Sequence, residues 1–269
     1  MPEREAVHIE MAEHVLTITM DRPESRNALG REIREGLTAG FKQLDEDDDC
    51  WVAVLQAEGP TFCAGADLKE ALKARTTERD AAPDPNAGPA NRAQPGGGML
   101  GRRRKPVVAC VEGHAYAGGL EILMTCDLIV ASTDAQFALS EVKRGLLAIG
   151  GGLFRLPRRL PYALAMEMIL TGLPQTAQAM YDHGLLNRLV EPGAAREAAR
   201  DLALLITQNS PIAVQAALEV ASTAVAERWT DADGFAGQRA PLARVGASED
   251  LMEGLRAFTE KRPPVWKAR

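Results

Sequence analysis

The sequence predicts an α/β body that leads into a helical C-terminal region, and three observations carry that prediction. "WVAVLQA" (Trp51–Ala57), "PVVACVEG" (Pro106–Gly113) and "CDLIVAS" (Cys126–Ser132) are nearly continuous apolar runs of strand length, the pattern of strands buried on both faces. From Gly30 to Glu46 the apolar positions Ile33, Leu37, Phe41 and Leu44 recur every three or four residues, which is an amphipathic helix. After Gly150 the chain becomes largely helical in pattern. Strands alternating with helices favour an α/β architecture.

The elements follow in order. "VHIEM" and "VLTITM", split by "AEH", read as a hairpin. "DRPESRNAL" is turn chemistry, because Pro23 and Asn27 interrupt regular structure. Between Thr76 and Gly98 the pattern collapses into a run dominated by Pro, Gly, Asn and Asp, a long loop of the kind that is often functional. Beyond it, "GLFRLPRRLPYALAMEMILTG", "AREAARDLALLITQ", "PIAVQAALEVASTAVAERW" and "SEDLMEGLRAFTEKR" are largely helical, with Ser or Pro at the starts of the last two. No linker or repeat divides the chain. It reads as one unit with a body over residues 1–200 and a helical region over residues 201–269.

Composition excludes several classes. Hydrophobic residues make up 46% of the 269 and charged residues 25%, ordinary for a soluble globular protein. A formal charge of −6 argues against nucleic acid as a general partner. No apolar run approaches the roughly 18–20 residues of a membrane span, and "MPEREAVHIEM" lacks the apolar core of a signal peptide. Cys50, Cys63, Cys110 and Cys126 show neither CxxC pairing nor clustering with histidine, so they read as small apolar residues of a reducing cytoplasm, with no metal site.

Chemistry concentrates in two glycine-containing turns. "GPTFCAGADLKE" (Gly59–Glu70) follows the Trp51–Ala57 strand, and "GHAYAGGLEIL" (Gly113–Leu123) follows the Pro106–Val111 strand. Each ends where a helix can begin, and small residues there let a ligand approach free N–H groups. Either turn alone is explained by tight backbone geometry. Together they could aim two donors at one oxygen, as an oxyanion hole does. Glu121 lies three residues after Gly118 in an apolar run, either satisfying N–H groups at its helix start or held there for chemistry. Glu141 follows the strand-like "AQFAL"; it is either a surface carboxylate paired with Lys143 or Arg144, or the second half of an acid–base pair.

These residues carry a resemblance to the crotonase (enoyl-CoA hydratase/isomerase) superfamily. "DRPESRNAL" resembles the family's N-terminal signature and "GPTFCAGADLKE" its first oxyanion-hole segment. "VEGHAYAGGLEILMTCDLIVASTDAQFALSEVKRGL" resembles the long central signature, and "SEDLMEGLRAFTEKRPPVWK" the closing helix. The resemblance implies a spiral of repeated ββα units with a helical C-terminal trimerisation region, assembled as homotrimers or homohexamers. It implies oxyanion-hole donors at the Ala66 and Gly118 N–H groups, and Glu121 and Glu141 as the two hydratase glutamates. Arg26, Ala28, Ala64, Asp67, Leu68 and Lys69 would lie along a coenzyme A channel, with Phe258 and Lys261 reaching the CoA of the same or a neighbouring subunit. The implied activity is reversible addition of water to a trans-2-enoyl-CoA thioester. It needs no cofactor beyond the CoA that is part of the substrate.

Two departures stand out. Ala117 replaces a glycine common in the family's "GGG" run. "GGGLFRLPR" differs from short-chain hydratases and resembles a subgroup that includes carnitinyl-CoA-dehydratase-like proteins, which bears on the acyl group. Arg102–Lys105 is either a solvated charge cluster or an aid to CoA phosphate binding. Rival readings are an enoyl-CoA isomerase, a CoA-thioester hydrolase and, outside enzymes, an acyl-CoA-binding scaffold.

Overall fold

The computed structural model describes residues 5–70, 72–73, 99, 101 and 103–269. The Thr76–Gly98 segment, expected to be a long loop, and Arg102 lie outside the described residues. The body is built on a six-stranded sheet of order β1-β2-β3-β4-β6-β9. Its strands are β1 (Val7–Ala12), β2 (Val15–Met20), β3 (Val52–Ala57), β4 (Val107–Val111), β6 (Leu128–Ser132) and β9 (Arg188–Val190). β1 and β2 form the expected antiparallel hairpin. Its turn is tighter than "AEH", because Ala12 pairs with Val15 and Glu13 and His14 both take positive φ, the two-residue turn that matches strand twist. From β2 to β9 all pairings are parallel.

Side-chain alternation along these strands makes both faces apolar. Leu16, Ile18, Leu55, Val107, Ala109 and Ile129 face the main core. Val15, Val54, Val108, Cys110 and Val130 meet Ala195, Ala199 and Ala203 on the opposite face. Those alanines belong to α6 (Ala195–Thr207), so its small side chains let a helix sit flat against the sheet. The 200/201 division drawn from the sequence falls inside this helix, which belongs to the body. The change of character comes at its end. α1 (Arg31–Glu46) buries Ile33, Leu37, Phe41 and Leu44, the stripe its spacing predicts, each fully buried aliphatic side chain contributing about 1.5–3 kcal/mol.

A second, smaller sheet of order β5-β7-β8 uses β5 (His114–Tyr116), β7 (Gln136–Ala138) and β8 (Gln175–Thr176). It explains the spiral. Each of β3, β4 and β6 is followed by a short segment bridging in this second layer and then by a helical turn: Thr61–Ala66, then β5, then β7. α2 (Gly118–Leu123) follows β5, and a short 3-10 turn (Glu141–Arg144) follows β7. β8 and β9, two and three residues long, carry too little sequence for any periodicity to show.

The expected "GLFRLPRRLPYALAMEMILTG" helix is two helices, α3 (Gly152–Arg159) and α4 (Tyr162–Thr171). Leu160 is extended because it precedes Pro161. α5 (Ala177–Asp182) leads to β9. Beyond α6 lie α7 (Pro211–Glu227), α8 (Asp231–Gly237), α9 (Arg239–Ala247) and α10 (Glu249–Glu260). Ser210 and Ser248 cap α7 and α10 through their hydroxyls, as the sequence suggested. No helix among the described residues is long and apolar enough to cross a membrane.

Candidate active site

The two glycine-containing turns, some fifty residues apart in sequence, are stitched together by backbone bonds. Cys63 N–H donates to His114 O at 3.1 Å, and Tyr116 N–H donates to Cys63 O at 2.9 Å. On the other flank Leu29 N–H reaches Gly65 O at 2.7 Å, and Ala64 N–H reaches Arg26 O at 3.0 Å. The 59–66 segment is therefore held between the first and third turns of the spiral. A Cβ built on Gly118 would lie 3.7 Å from the Ala66 nitrogen, and one on Gly65 would lie 3.2 Å from the Gly118 nitrogen. Among the described residues neither the Ala66 nor the Gly118 N–H donates to a backbone carbonyl. Two free donors thus sit side by side, with Ala66 exposed. They can hold one oxygen that gains negative charge.

Ala117 sets the direction of the second donor. It lies at φ 52, ψ −123 as the N-cap of α2, a region that a residue with a Cβ rarely occupies. Its own N–H is anchored to Ala138 O at 2.7 Å, so the strained turn is tied to β7 in the next turn of the spiral.

Glu121 is 5% exposed. It does not cap its own helix; Gly152 N–H donates to its Oε1 at 2.9 Å from the start of α3. Burial raises its pKa, against the opposing pull of the Gly152, Gly150 and Gly151 N–H groups and the charge of Arg155. Glu141 opens the short turn after β7. Its Oε2 is buried without a hydrogen-bond partner among the described residues, and Arg144 acts on it through space. Burial, helped by the charge of Glu121, pushes its pKa up to about 7. The surface ion pair considered for Glu141 is replaced by a half-buried carboxyl coupled to Glu121.

Other expected residues fall in two places. Arg26 takes a left-handed conformation at the end of the Pro23–Ser25 turn. Ala28 and Asp67 line a cavity of about 320 Å³ with Ser25, Gly30 and Glu70. Asp67 Oδ1 accepts from the Lys69 and Glu70 N–H groups, starting the helical turn on which Leu68 and Lys69 stand exposed. Together with Ala64 these make a continuous edge beside the Ala66 donor. Phe258, 86% exposed, and Lys261 lie instead on and just after α10, which packs on α9 and under Trp266. One chain does not bring them to the two donors.

Of the basic run, Arg103 and Lys105 turn inward, while Arg104 is exposed. The Arg103 guanidinium lies 3.6 Å over the Phe41 ring and donates to Thr125 O and Met99 O. Lys105 is 1% exposed and donates from Nζ to Asp47 O at 2.6 Å. Neither reading of this run survives for these two residues: their aliphatic stems fill the core edge and their heads cap carbonyls. Sequence reasoning also missed the part played by Gly150–Gly152. Its signal was the "GGG" itself, since consecutive N–H groups free of side chains can surround an anion.

The chain matches the model of the enoyl-CoA hydratase/isomerase family over residues 10–269. It is 38% identical to the enoyl-CoA hydratase EchA19 of Mycobacterium tuberculosis, over 97% of this chain and 96% of that protein. It is 35% identical to the carnitinyl-CoA dehydratase of Salmonella typhi, over 98% and 99%. A crystal structure of an enoyl-CoA hydratase from Mycobacterium tuberculosis H37Rv superposes with a TM-score of 0.89 at 40% identity, covering 99% of this chain and all of that one. The family match over nearly the whole chain, these identities and the shared fold show that the chain belongs to the enoyl-CoA hydratase/isomerase family.

Proposed function

We propose that the protein is an enoyl-CoA hydratase, adding water reversibly across the 2,3 double bond of a trans-2-enoyl-CoA thioester. The observation that carries this reading is the inequality of two coupled carboxyls next to two free N–H groups. Burial raises both pKa values, but the Gly150–Gly152 N–H groups favour the anion at Glu121, while Glu141 has a buried oxygen without a donor among the described residues and a pKa near 7. In the proposed cycle the thioester oxygen lies between the Ala66 and Gly118 N–H groups, which polarise the conjugated system and stabilise the enolate charge. Ionised Glu121 takes a proton from water as its oxygen bonds to C3. Protonated Glu141 delivers a proton to C2, and proton return between the pair through solvent resets the site. The edge formed by Arg26, Ala28, Ala64, Asp67, Leu68 and Lys69 carries the CoA portion, and no separate cofactor takes part.

Exposed Phe235, Leu242, Leu255 and Phe258 on the C-terminal helices support a homotrimer or homohexamer, in which Phe258 and Lys261 meet the CoA of a neighbour. The four free, buried cysteines fit a cytoplasmic enzyme of fatty acyl-CoA breakdown.

The test is hydration of a panel of trans-2-enoyl-CoA thioesters, short to long, with release of free CoA followed in parallel. Loss of the conjugated enoyl group without CoA release is expected. CoA release would mean thioester hydrolysis, a moved double bond would mean isomerisation, and binding without turnover would mean an acyl-CoA scaffold. A second reading, dehydration of a carnitinyl-type 3-hydroxyacyl-CoA, is favoured by the "GGGLFRLPR" run and the 35% identical dehydratase. Adding carnitinyl-CoA to the panel separates the two.

A further inference from the structure

The "GGGLFRLPR" run contains a residue for which neither the two glutamates nor the oxyanion hole accounts. Arg155, one turn into α3, folds back over the start of its own helix, and its Nη1 donates to Gly150 O at 3.0 Å. A Cβ on Gly151, at φ +109, would fall 2.4 Å from that same Nη1. The guanidinium therefore occupies the space a side chain at 151 would need. The next residue, Gly152, is the one whose N–H donates to Glu121 Oε1, and a Cβ there would meet Glu121 Cγ at 3.2 Å. Arginine, three glycines and carboxylate thus form one packed unit.

We propose that Arg155 is a positioning residue for Glu121: it clamps the Gly150–Gly152 turn so that the turn's N–H groups face the carboxylate. This rests on the hydratase reading and deepens it by dividing the roles of the pair. The arrangement is not what stability alone would select. Arg155 is partly buried, and burial and the charges of Arg103 and Arg158 act against its cation, while the charge of Glu121 favours it. The charged groups facing Glu121 are Arg155 from α3 and Glu141 from the turn after β7. On the β5 side, His114 stacks on Tyr116, whose hydroxyl donates to Gln136 Oε1.

The experiment is the pH profile of kcat/KM for hydration in wild type, Arg155→Met and Arg155→Lys, with circular dichroism to establish folding. A base acts only when ionised, so activity falls as pH drops through its pKa. Without the cation that pKa rises, and the acid limb should move to higher pH by about one pH unit in Arg155→Met. The plateau should fall through kcat, with KM nearly unchanged. Arg155→Lys, which keeps the charge without the fork, should have an acid limb close to wild type. A folded Arg155→Met with an unmoved acid limb would overturn the proposal, as would a change in KM alone. If Arg155→Met fails to fold, Arg155→Lys together with the infrared carboxyl bands of wild type minus Glu121→Gln decides the matter. A Glu121 carboxyl protonated at pH 7 would overturn the proposal. Absence of hydration by the wild type would instead sink the hydratase reading, so the two failures are distinguishable.

Discussion

Gly152 N–H donates to Glu121 Oε1 at 2.9 Å, bridging 31 residues of chain, whereas the buried Oε2 of Glu141 meets no donor among the described residues. Two carboxyls of one site therefore see unequal surroundings. Burial raises the pKa of both, but the Gly150–Gly152 N–H groups oppose it at Glu121, whereas the charge of Glu121 adds to it at Glu141. That asymmetry is what an acid–base pair needs.

Replacing either carboxyl with its amide should remove one half of the pair without disturbing the edge proposed to carry CoA. Glu121→Gln and Glu141→Gln are each expected to lower hydration by about 10²–10⁴-fold, with acyl-CoA affinity within a few fold of wild type. Steady-state kinetics paired with equilibrium binding of a saturated acyl-CoA checks this. Wild-type turnover in either variant would end the two-carboxylate account.

The raised pKa of Glu141 has consequences for both activity and stability. As the proton donor it must be neutral, so kcat/KM for hydration should decline as pH rises through about 7. For stability, its folded value exceeds the ordinary 4.5, so between those values the folded state holds a proton that the unfolded chain has lost. That contribution is complete below about pH 4.5 and disappears as pH rises through 7. Urea midpoints at pH 5 and pH 8 should therefore diverge less in Glu141→Gln than in wild type. Equal divergence in both proteins would contradict the assignment.

Adjacent glycines should fail in different ways. A Cβ at Gly118 would meet the flexible tip of Leu29 at 2.7 Å and enter the space between the two donors. Gly118→Ala should therefore fold but lose about 10²–10³-fold in kcat. A Cβ at Gly119 would lie 2.5 Å from the Cys63 carbonyl oxygen, in backbone that cannot yield cheaply. Gly119→Ala should lose several kcal/mol of stability, roughly in the range of other overpacked core sites. Thermal melts set beside kinetics separate the two cases.

Ala117 carries strain that glycine would not. At φ 52, ψ −123 its Cβ costs on the order of 1–3 kcal/mol, while the extra freedom of an unfolded glycine costs about 0.4–1 kcal/mol. Ala117→Gly should therefore gain about 1 kcal/mol, seen as a higher melting temperature. A lower one would show that the methyl's contact across the two turns outweighs the strain.

Lys105 should matter for folding and not for the substrate. Removing its bond to Asp47 O with Lys105→Met leaves that carbonyl to the Cys50 N–H alone, at a cost of about 1 kcal/mol for the lost hydrogen bond. KM for the acyl-CoA should not change. A raised KM with unchanged stability would restore the phosphate-binding role that its inward orientation argues against.

Much of the fold was legible in local pattern. The β2, β3, β4 and β6 runs and the α1 stripe announced themselves because each buries enough apolar surface to imprint its period on the sequence. β8, β9 and α5 did not, being two to six residues long. Position by position, glycine spacing in "AGADLKE" and "GGLEIL" marked the two turns and one misplaced charge marked Glu121, while Ala66 and Gly118 as donors came from the family resemblance. Glu141 was ambiguous, since a carboxylate followed by Lys143 and Arg144 looks the same on paper whether solvated or buried. Arg103 and Lys105 misled for the converse reason: a long basic side chain gives no hint of whether its head faces water or a carbonyl.

The sequence by itself determined the α/β body, the helical C-terminal region, the two glycine turns and the carboxylates, because these depend on periodicity and on residue type. Tertiary structure decided that the Ala66 and Gly118 N–H groups lie side by side, that Gly150–Gly152 from a third segment meets Glu121, and that Glu141 Oε2 is buried without a donor among the described residues. Each of these is a distance or a dielectric environment between residues tens of positions apart. Nothing local in the chain encodes such a quantity until the parallel sheet stacks one turn of the spiral on the next.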